Sequence, residues 1–481
     1  MAFPRLIFVN EKTPVSCEAD VITDLKLDLI FPPEVSDYLI LAPERETLMA
    51  RREMFKALLS DDSSEARLRE ALDKLLAARE LYRAMTAAVS EKTASFVFVH
   101  LILKLSELCE SVRALNGYGA LLERFCGAFA EISEKVSFQN AVSEASELKK
   151  RLAAISALTL KTDGESAVIS APRGEGMTEA LRACAAELDI SLGERPRSSI
   201  TLQKGVAEAL GTVYPEELNA AAELLSKYRT LVTGEIIDYI PELEFVIGIV
   251  SFTKKAADNG LPYCFPEITE RKGISLRNVY DVTLLKKEGS VIVPNDVEFT
   301  EKEPFFYLTG ANGGGKTTYI RAVGGAMLLL LAGAPVFCEG GQASILSAVY
   351  THFPKDERFE GTGRFLDEKN RVDLILEKQD GNALILLNET FSTTGEEKAI
   401  EQTDILARTL YKSGNLGLYI THQHDVSEKE IPFLGVTVDE NDRNRRTYKI
   451  EKRRLPPRSF ANDILEKYGL DKNSLKARFG G

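Results

Sequence analysis

One glycine-rich segment constrains the fold of this chain more than any other part of its sequence. Gly310, Gly315, Lys316 and Thr317 fill the spacing G-x-x-x-x-G-K-[ST]. In that spacing, glycines let successive backbone N–H groups face phosphate oxygens, the lysine adds a charge at the β- and γ-phosphates, and the hydroxyl reaches Mg²⁺. We therefore expect the segment to bind a nucleoside triphosphate.

The residues on either side of the loop fit this prediction. The apolar run Phe305–Leu308 predicts a buried strand that enters the loop, and residues 318–331 predict a helix that leaves it. Strand, loop and helix in this order are the setting that the motif requires. A chance glycine-rich turn is the alternative, and it does not account for this context.

A second buried strand, residues 383–389, ends in Asn388 and Glu389. Its distance from the loop suits one intervening βα layer, so both side chains are expected at the same sheet edge. We predict Glu389 as the general base that activates water, and Asn388 as a neighbour of Mg²⁺. An amide oxygen carries no full charge, and a strand-capping role for Asn388 stays open.

A third apolar run, residues 418–420, is followed by Thr421 and His422. Ligands collect at the carboxyl edge of open α/β sheets, so His422 is predicted to contact the terminal phosphate. A structural role for His422 is the alternative.

Composition narrows the class of protein. The chain has 481 residues, 44% of them hydrophobic, and a net charge of −12, which argues against a strongly basic nucleic-acid surface but not against a local patch. Its six cysteines lie far apart with no C-x-x-C pair, so neither a zinc site nor a disulfide framework is predicted, and a reduced cytoplasm fits best. The longest apolar stretch, Gly324 to Cys338, is shorter than the ~20 residues that cross a bilayer, so we expect no membrane partner.

Periodicity divides the chain into four predicted segments. Apolar residues recur at helical spacing from about residue 32 to residue 260, and short β-rich runs alternate with helices after residue 274. The prediction is a short strand/loop segment (1–31), a helical core and lever domain (32–273), an α/β nucleotide-binding domain (274–455) and a helical tail (456–481). A loop-rich or small β insertion is expected near residues 161–202.

Taken together, these residues make the sequence resemble the MutS family of DNA mismatch-repair ATPases, relatives of the ABC-type ATPases. The loop from Thr309 is similar to that family's T-G-P-N-M-G-G-K-S, and Asn312 stands at the family's Asn. Residues 361–368 resemble the signature G-R-S-T-F-x-x-E, and Thr421-His422 resembles the family's T-H. Residues 448–470 resemble the family's C-terminal closing segment, and looser similarity extends through the helices.

The resemblance implies an all-α lever and core domain followed by an ABC-type P-loop ATPase domain that works with ATP and Mg²⁺. It also implies a homodimer that engages DNA, with a repair protein as a possible partner. The implied nucleotide contacts are Ile292, Gly310, Ala311, Asn312, Gly313, Gly314, Gly315, Lys316, Thr317 and Thr318. The implied metal contacts are Thr317 and Asn388. The implied dimer signature, which reaches the nucleotide across a two-fold axis, is Gly361, Gly363, Arg364 and Glu368.

The sequence departs from the family pattern in two places. No F-x-E mismatch wedge lies near Met1, and no room is left before the helices for the mismatch-reading and connector domains. We therefore do not expect mismatch recognition by the usual route. Gly363 stands at the signature Ser, so one hydroxyl donor to the γ-phosphate is missing.

Three classes of function compete. The first is a short MutS-like DNA-repair ATPase that couples ATP turnover to engagement of DNA. The second is a scaffold that uses ATP as a dimerisation switch and hydrolyses it slowly, which Asn388, Gly363 and the acidic balance favour. A metabolite kinase is the third, and the large helical body argues against it. For DNA, we favour the lever region over the basic run at residues 443–458 as the contact surface.

Overall fold

The computed structural model describes residues 4–10, 12–18, 20–88, 90–153, 159–162, 167–170, 213–232, 234–286, 291–310, 312–354, 363–390, 396–421, 431–438, 446–452 and 478. The chain divides into two compact units. Unit 1 comprises Met1–Ile7 and Ser60–Ile247, and unit 2 comprises Phe8–Leu59 and Gly248–Gly481. The four segments predicted from the sequence have boundaries that differ from those of the two units, and that division stays a prediction. The predicted tail (456–481) lies almost entirely outside the described residues.

The helices and strands follow one another in the order that the sequence pattern predicts, helical first and then mixed. The described helices are α1 (Asp20–Asp24), α2 (Pro33–Leu39), α3 (Arg45–Leu59), α4 (Ser64–Thr86), α5 (Glu91–Arg113), α6 (Ala120–Ser133), α7 (Val136–Ala153), α8 (Pro215–Tyr228), α9 (Tyr239–Asp258), α10 (Lys316–Leu331), α11 (Gly363–Lys378) and α12 (Glu396–Lys412). The described strands are β1 (Thr159–Thr162), β2 (Ala167–Ser170), β3 (Glu267–Thr269), β4 (Gly273–Val279), β5 (Asn295–Thr300), β6 (Phe305–Thr309), β7 (Gly340–Ser344), β8 (Val349–His352), β9 (Leu384–Asn388), β10 (Leu416–Ile420), β11 (Phe433–Val438) and β12 (Arg446–Lys452). The prediction of a helical region followed by an α/β region is confirmed.

Unit 1 is built from helices that bury apolar stripes. A core cluster joins α5, α7 and α8 through residues such as Ile102, Leu148 and Leu224. The apolar stripe of α6 is buried at Leu122 and Phe125, as expected for apolar residues at three- and four-residue steps. Within the predicted insertion, β1 and β2 form an antiparallel pair, and the rest of that insertion lies outside the described residues.

Residues 4–10 do not form a strand, although the sequence predicts a short strand/loop segment over residues 1–31. Residues Pro4–Asn10 adopt bends, and the backbone N–H groups of Leu6 and Ile7 donate to Oε2 of Glu242 at 2.7 and 3.1 Å. Arg5 lies 2.5 Å from Oε1 of the same carboxylate. A buried carboxylate thus satisfies the backbone donors that would otherwise bond to a neighbouring strand.

The described part of unit 2 contains two sheets. The six-stranded sheet has the order β12-β11-β6-β10-β9-β8, in which β12 is antiparallel to β11 and the other pairs are parallel. Its strands β6, β8, β9 and β10 are buried along their whole length, as parallel strands covered on both faces are. The other sheet has the order β3-β7-β4-β5.

A glycine closes helix α9. Gly260 takes a φ of 74°, and the N–H of Leu261 donates back to the carbonyl of Ala256 at 3.1 Å. A left-handed glycine followed by such a backward bond closes many helices, because glycine alone adopts this φ without a steric penalty. Across the described ranges, no helix is both long and apolar enough to cross a bilayer.

Candidate nucleotide-binding site

The loop between β6 and α10 has the backbone that the glycine spacing requires. Gly310 and Gly315 take φ values of 136° and 94°. A Cβ on Gly310 would lie 2.9 Å from the side chain of Val436, and one on Gly315 would lie 3.3 Å from the Tyr448 ring. Helix α10 begins directly after Gly315, and no side chain caps its first turn. Its first N–H groups therefore face the loop, as they do in anion-binding helix ends.

Lys316 is the first residue of α10 and is buried. Its Nζ donates to the carbonyl oxygen of Gly310 at 2.7 Å. Burial lowers the pKa of Lys316 to about 8, against the opposing effect of the Glu389 carboxylate, and the Arg446 guanidinium lowers it further. A phosphate arriving at the loop would restore the stabilisation that the ammonium group loses by leaving water.

Three parallel strands end side by side next to this loop. In the register of the sheet, Ile420 of β10 pairs with Leu308 of β6 on one side and with Asn388 of β9 on the other. Glu389 is the next residue after β9; its φ is 51°, and its N–H donates to the carbonyl of Ile420 at 2.9 Å. The left-handed backbone turns Glu389 out of the strand direction, and its side chain lines the same cavity as the loop.

Two buried oxygens at this edge suit a hard cation. Among the described residues, neither Oδ1 of Asn388 nor Oγ1 of Thr309 has a hydrogen-bond partner. A buried polar atom without a partner costs free energy, so both positions favour a ligand or a bridging water. Thr317 and Glu389 line the cavity itself, whereas Asn388 and Thr309 are not among its lining residues. Mg²⁺ prefers few protein oxygens and several waters, so these residues fit that ion.

The cavity itself has a volume of about 500 Å³, a size that holds a small ligand. The loop forms one wall, and Val291, Val293 and Tyr448 form part of the other. Val291 is 76% exposed and Tyr448 is 41% exposed, so an apolar and an aromatic surface lie open at the site. Asn295 fixes the aromatic wall, because its Nδ2 donates to the Tyr448 carbonyl at 3.0 Å.

Comparison with known proteins assigns this part of the chain. Residues 306–455 match the model of MutS domain V. A DNA mismatch repair protein MutS from Chlorobium phaeovibrioides is 30% identical over 195 residues, which is 39% of this chain and 22% of that protein. Residues 306–455 are thus a MutS domain V. The named relatives of the chain are DNA mismatch repair proteins.

Other relatives match over a longer part of the chain. MutS of Fervidobacterium nodosum is 26% identical over 231 residues, or 47% of this chain and 25% of its own length. The DNA mismatch repair protein MSH2 of Saccharomyces cerevisiae is 28% identical over 230 residues, or 44% of this chain and 24% of its own length. The matched part of this chain thus spans about a quarter of each relative's length.

Some of the predicted site residues line the cavity, and others lie where the structure does not describe them. Asn312, Gly313, Gly314, Thr317 and Thr318 line the cavity together with Gly315, Lys316 and Glu389. Ile292 lies between Val291 and Val293, which both line it, and stays a prediction. Ala311, Gly361 and His422 lie outside the described residues. Gly363, Arg364 and Glu368 belong to the first turns of α11, and their side chains are not described.

The sequence did not predict a set of buried side chains that contact Thr390, the residue after Glu389. His352, at the end of β8 and 1% exposed, has its Nδ1 3.0 Å from Oγ1 of Thr390. The Tyr419 hydroxyl donates to the Thr390 carbonyl at 3.2 Å, and it lies 3.2 Å from Oγ1 of Thr403. These contacts fix the residue that follows Glu389. Their sequence signal is weak, because each lies on a different strand or helix.

Proposed function

We propose that this chain binds ATP with Mg²⁺ and hydrolyses it. One observation supports the proposal most directly: the glycine loop, Lys316 and Glu389 line a single cavity at the carboxyl ends of parallel strands. That edge is where open α/β sheets bind ligands. A residue pattern that only stabilised the fold would not need a buried lysine and a half-buried carboxylate at one cavity.

The side chains have separate roles in this proposal. Lys316 and the N–H groups from Gly310 to Thr318 hold the phosphates, and Thr317 and Asn388 hold Mg²⁺. Bound Mg²⁺ neutralises charge on the phosphate oxygens. Glu389 accepts a proton from the attacking water, and His422 contacts the terminal phosphate. The neutral Asn388 leaves the metal with one full charge fewer than an aspartate would.

We further propose that ATP turnover is coupled to DNA or to a repair partner through a homodimer in the cytoplasm. The names of the relatives support a role in DNA mismatch repair. In the dimer, Gly361, Gly363, Arg364 and Glu368 act on the nucleotide of the other subunit. Sedimentation with and without ATP tests this step, and a strictly monomeric protein with full activity contradicts it.

The contact surface for DNA is proposed in the helical levers and the insertion near residues 161–202. The basic run at residues 443–458 is a weaker candidate, because Lys452 in its described part lies 2.6 Å from Glu303 and Lys449 donates to the carbonyl of Pro294 at 2.5 Å. Deleting the insertion should weaken DNA binding and flatten its salt dependence. Charge reversal at Arg445 and Arg446 is the matched comparison and should alter self-association more than DNA affinity. The opposite pattern moves the DNA surface to the nucleotide-binding domain.

A slow, ATP-switched scaffold is the second candidate, and the neutral Asn388 favours it. Steady-state phosphate release with and without duplex, mismatched, branched and single-stranded DNA separates the two functions. The ATPase proposal expects turnover that at least one DNA changes. The scaffold expects tight ATP binding, negligible turnover and no response to DNA.

A further inference from the structure

Two cysteines that are distant in sequence lie together in unit 2. The Sγ atoms of Cys264 and Cys338 are 3.3 Å apart. Their segments are held by two backbone bonds, from Cys264 N to Val336 O at 2.9 Å and from Val336 N to Cys264 O at 2.8 Å. Cys338 is fully buried, whereas Cys264 is partly exposed. The two thiols, called here the thiol pair, therefore have one member that solvent reaches.

A buried arginine acts electrostatically on the partly exposed member, Cys264. Arg52 of α3 is 4% exposed, and its Nη2 donates to the carbonyl of Pro266 at 2.6 Å. In the part of the chain that the structure describes, its Nε and Nη1 have no hydrogen-bond partner and it makes no ion pair with a carboxylate. A buried guanidinium needs a compensating anion. A thiolate at Cys264 would supply one.

The pKa values of the two thiols shift in opposite directions. The hydrogen bond between the two sulfurs lowers the pKa of Cys264, against the effect of burial, and the Arg52 and Arg277 cations lower it further. The same hydrogen bond and burial raise the pKa of Cys338. Cys264, the member that solvent reaches and whose pKa the two cations lower, is thus suited to act as the nucleophile, with buried Cys338 as its protonated neighbour, an arrangement typical of reactive cysteine pairs.

The thiols of the other described cysteines have raised pKa values and are expected to be unreactive. Burial raises the pKa of Cys109 to about 12 and that of Cys126 to about 11. Burial also raises the pKa of Cys17. Structural cysteines in apolar surroundings behave this way. They provide internal controls within the same molecule.

We propose that the thiol pair is a modification site for hydroperoxides, at which Cys264 is oxidised and Cys338 resolves the product as a disulfide. The Cys264 thiolate attacks one peroxide oxygen, the O–O bond breaks, and the remaining oxygen leaves as hydroxide or alkoxide. The sulfenic acid on Cys264 then reacts with the Cys338 thiol, which forms the S–S bond and releases water. The two thiols lose two electrons, and the peroxide gains them.

The disulfide would join the segment that follows α9 to the segment that follows α10, the helix of the glycine loop. Neither segment contributes a residue to the lining of the cavity at the glycine loop, so the proposal does not depend on ATP hydrolysis. Local sequence spacing contains no sign of the pair, because 73 intervening residues separate the cysteines.

The test uses the reduced full chain at pH 7. Alkylation by N-ethylmaleimide, followed by mass spectrometry, should modify Cys264 at least about tenfold faster than Cys109 or Cys126. Treatment with hydrogen peroxide should then yield a non-reduced peptide in which Cys264 is joined to Cys338, and dithiothreitol should cleave it. Equal alkylation rates, or a Cys264 sulfinic acid with no cross-linked peptide, would overturn the proposal.

Two variants assign the roles within the pair. Cys338→Ser should accumulate a sulfenic acid on Cys264 that dimedone traps, because no resolving thiol remains. Cys264→Ser should leave Cys338 unmodified by peroxide. Dimedone on Cys338 in place of Cys264 would contradict the assignment. If either variant fails to fold, the alkylation and peroxide measurements on the chain without substitutions decide the proposal.

Discussion

The ammonium group of Lys316 donates to the carbonyl oxygen of Gly310, so the first residue of α10 closes the loop that precedes it. The bond holds a buried positive charge at the place where phosphate oxygens are expected. It also explains why a helix that begins with lysine is stable here, although cations are disfavoured at helix N-termini. The nucleotide has to replace or share this bond.

Nucleotide affinity should depend on pH through Lys316. Its pKa of about 8 in the free protein is depressed by burial, and a bound phosphate favours the charged form. As far as Lys316 determines it, nucleotide affinity should therefore be constant below pH 8 and should fall about tenfold per pH unit above pH 8. Calorimetry at pH 8 in buffers of different ionisation enthalpy should show uptake of about half a proton on binding.

Lys316→Arg is the matched control for this pH dependence. Guanidinium stays charged throughout the range, so its affinity should be weaker and flat between pH 7.5 and 9.5. A wild-type affinity that is equally flat would contradict the assigned pKa. A wild-type affinity that rises with pH would contradict the phosphate-binding role of Lys316.

Asn388 should set the Mg²⁺ requirement. Asn388→Asp adds a carboxylate at an oxygen that lacks a hydrogen-bond partner among the described residues. We expect the Mg²⁺ concentration for half-maximal nucleotide binding to fall about tenfold, because charge count governs affinity at oxygen sites. Asn388→Leu should raise it. A Mg²⁺ titration in which the three proteins coincide would leave Asn388 with only a strand-capping role.

Thr390 should act on Glu389 without touching the nucleotide. Thr390→Val keeps the shape but removes the hydroxyl that lies 3.0 Å from His352. We expect kcat for ATP to fall about three- to tenfold while the Kd for ATP stays unchanged, because only the orientation of Glu389 is affected. Thr409→Val on the exposed face of α12 is the control and should alter neither constant. Equal losses in kcat and affinity would indicate general damage to the site.

Glu242 should carry a large share of the stability of unit 1. Glu242→Ala leaves the amides of Leu6 and Ile7 without their shared acceptor and removes the charge beside Arg5. The free energy of unfolding should fall by about 3 kcal/mol. Glu242→Gln keeps an acceptor oxygen and should cost about half as much. Urea denaturation followed by circular dichroism measures both, and a loss below about 0.5 kcal/mol in Glu242→Ala would contradict the role.

Local patterns predicted the parts of the fold and site that depend on neighbouring residues. The glycine spacing indicated the loop before Lys316, and the apolar runs indicated β6 and β9. Each of these signals lies within a few residues of the feature it predicts. The alignment of Asn388 with Leu308 follows from the rule that parallel strands end at one edge.

Such local patterns do not predict contacts between segments that are distant in sequence. Tyr448 reaches the loop only because β12 returns beside β11 at the sheet edge. The bond between Glu242 and the chain start, and the contact of Cys264 with Cys338, join residues that no local periodicity relates. An apolar run at the N-terminus predicts burial, and Leu6, Ile7 and Phe8 are buried, but it does not show what accepts their backbone hydrogen bonds.

The most direct measurement for the central claim compares two substitutions in one assay of ATP binding and phosphate release. Lys316→Ala removes the phosphate charge and should abolish tight ATP binding, whereas Glu389→Gln removes only the base. Glu389→Gln should therefore bind ATP within about threefold of the parent and lose turnover by about a hundredfold or more. Hydrolysis by Glu389→Gln at the parental rate, or unchanged ATP affinity in Lys316→Ala, would contradict the account.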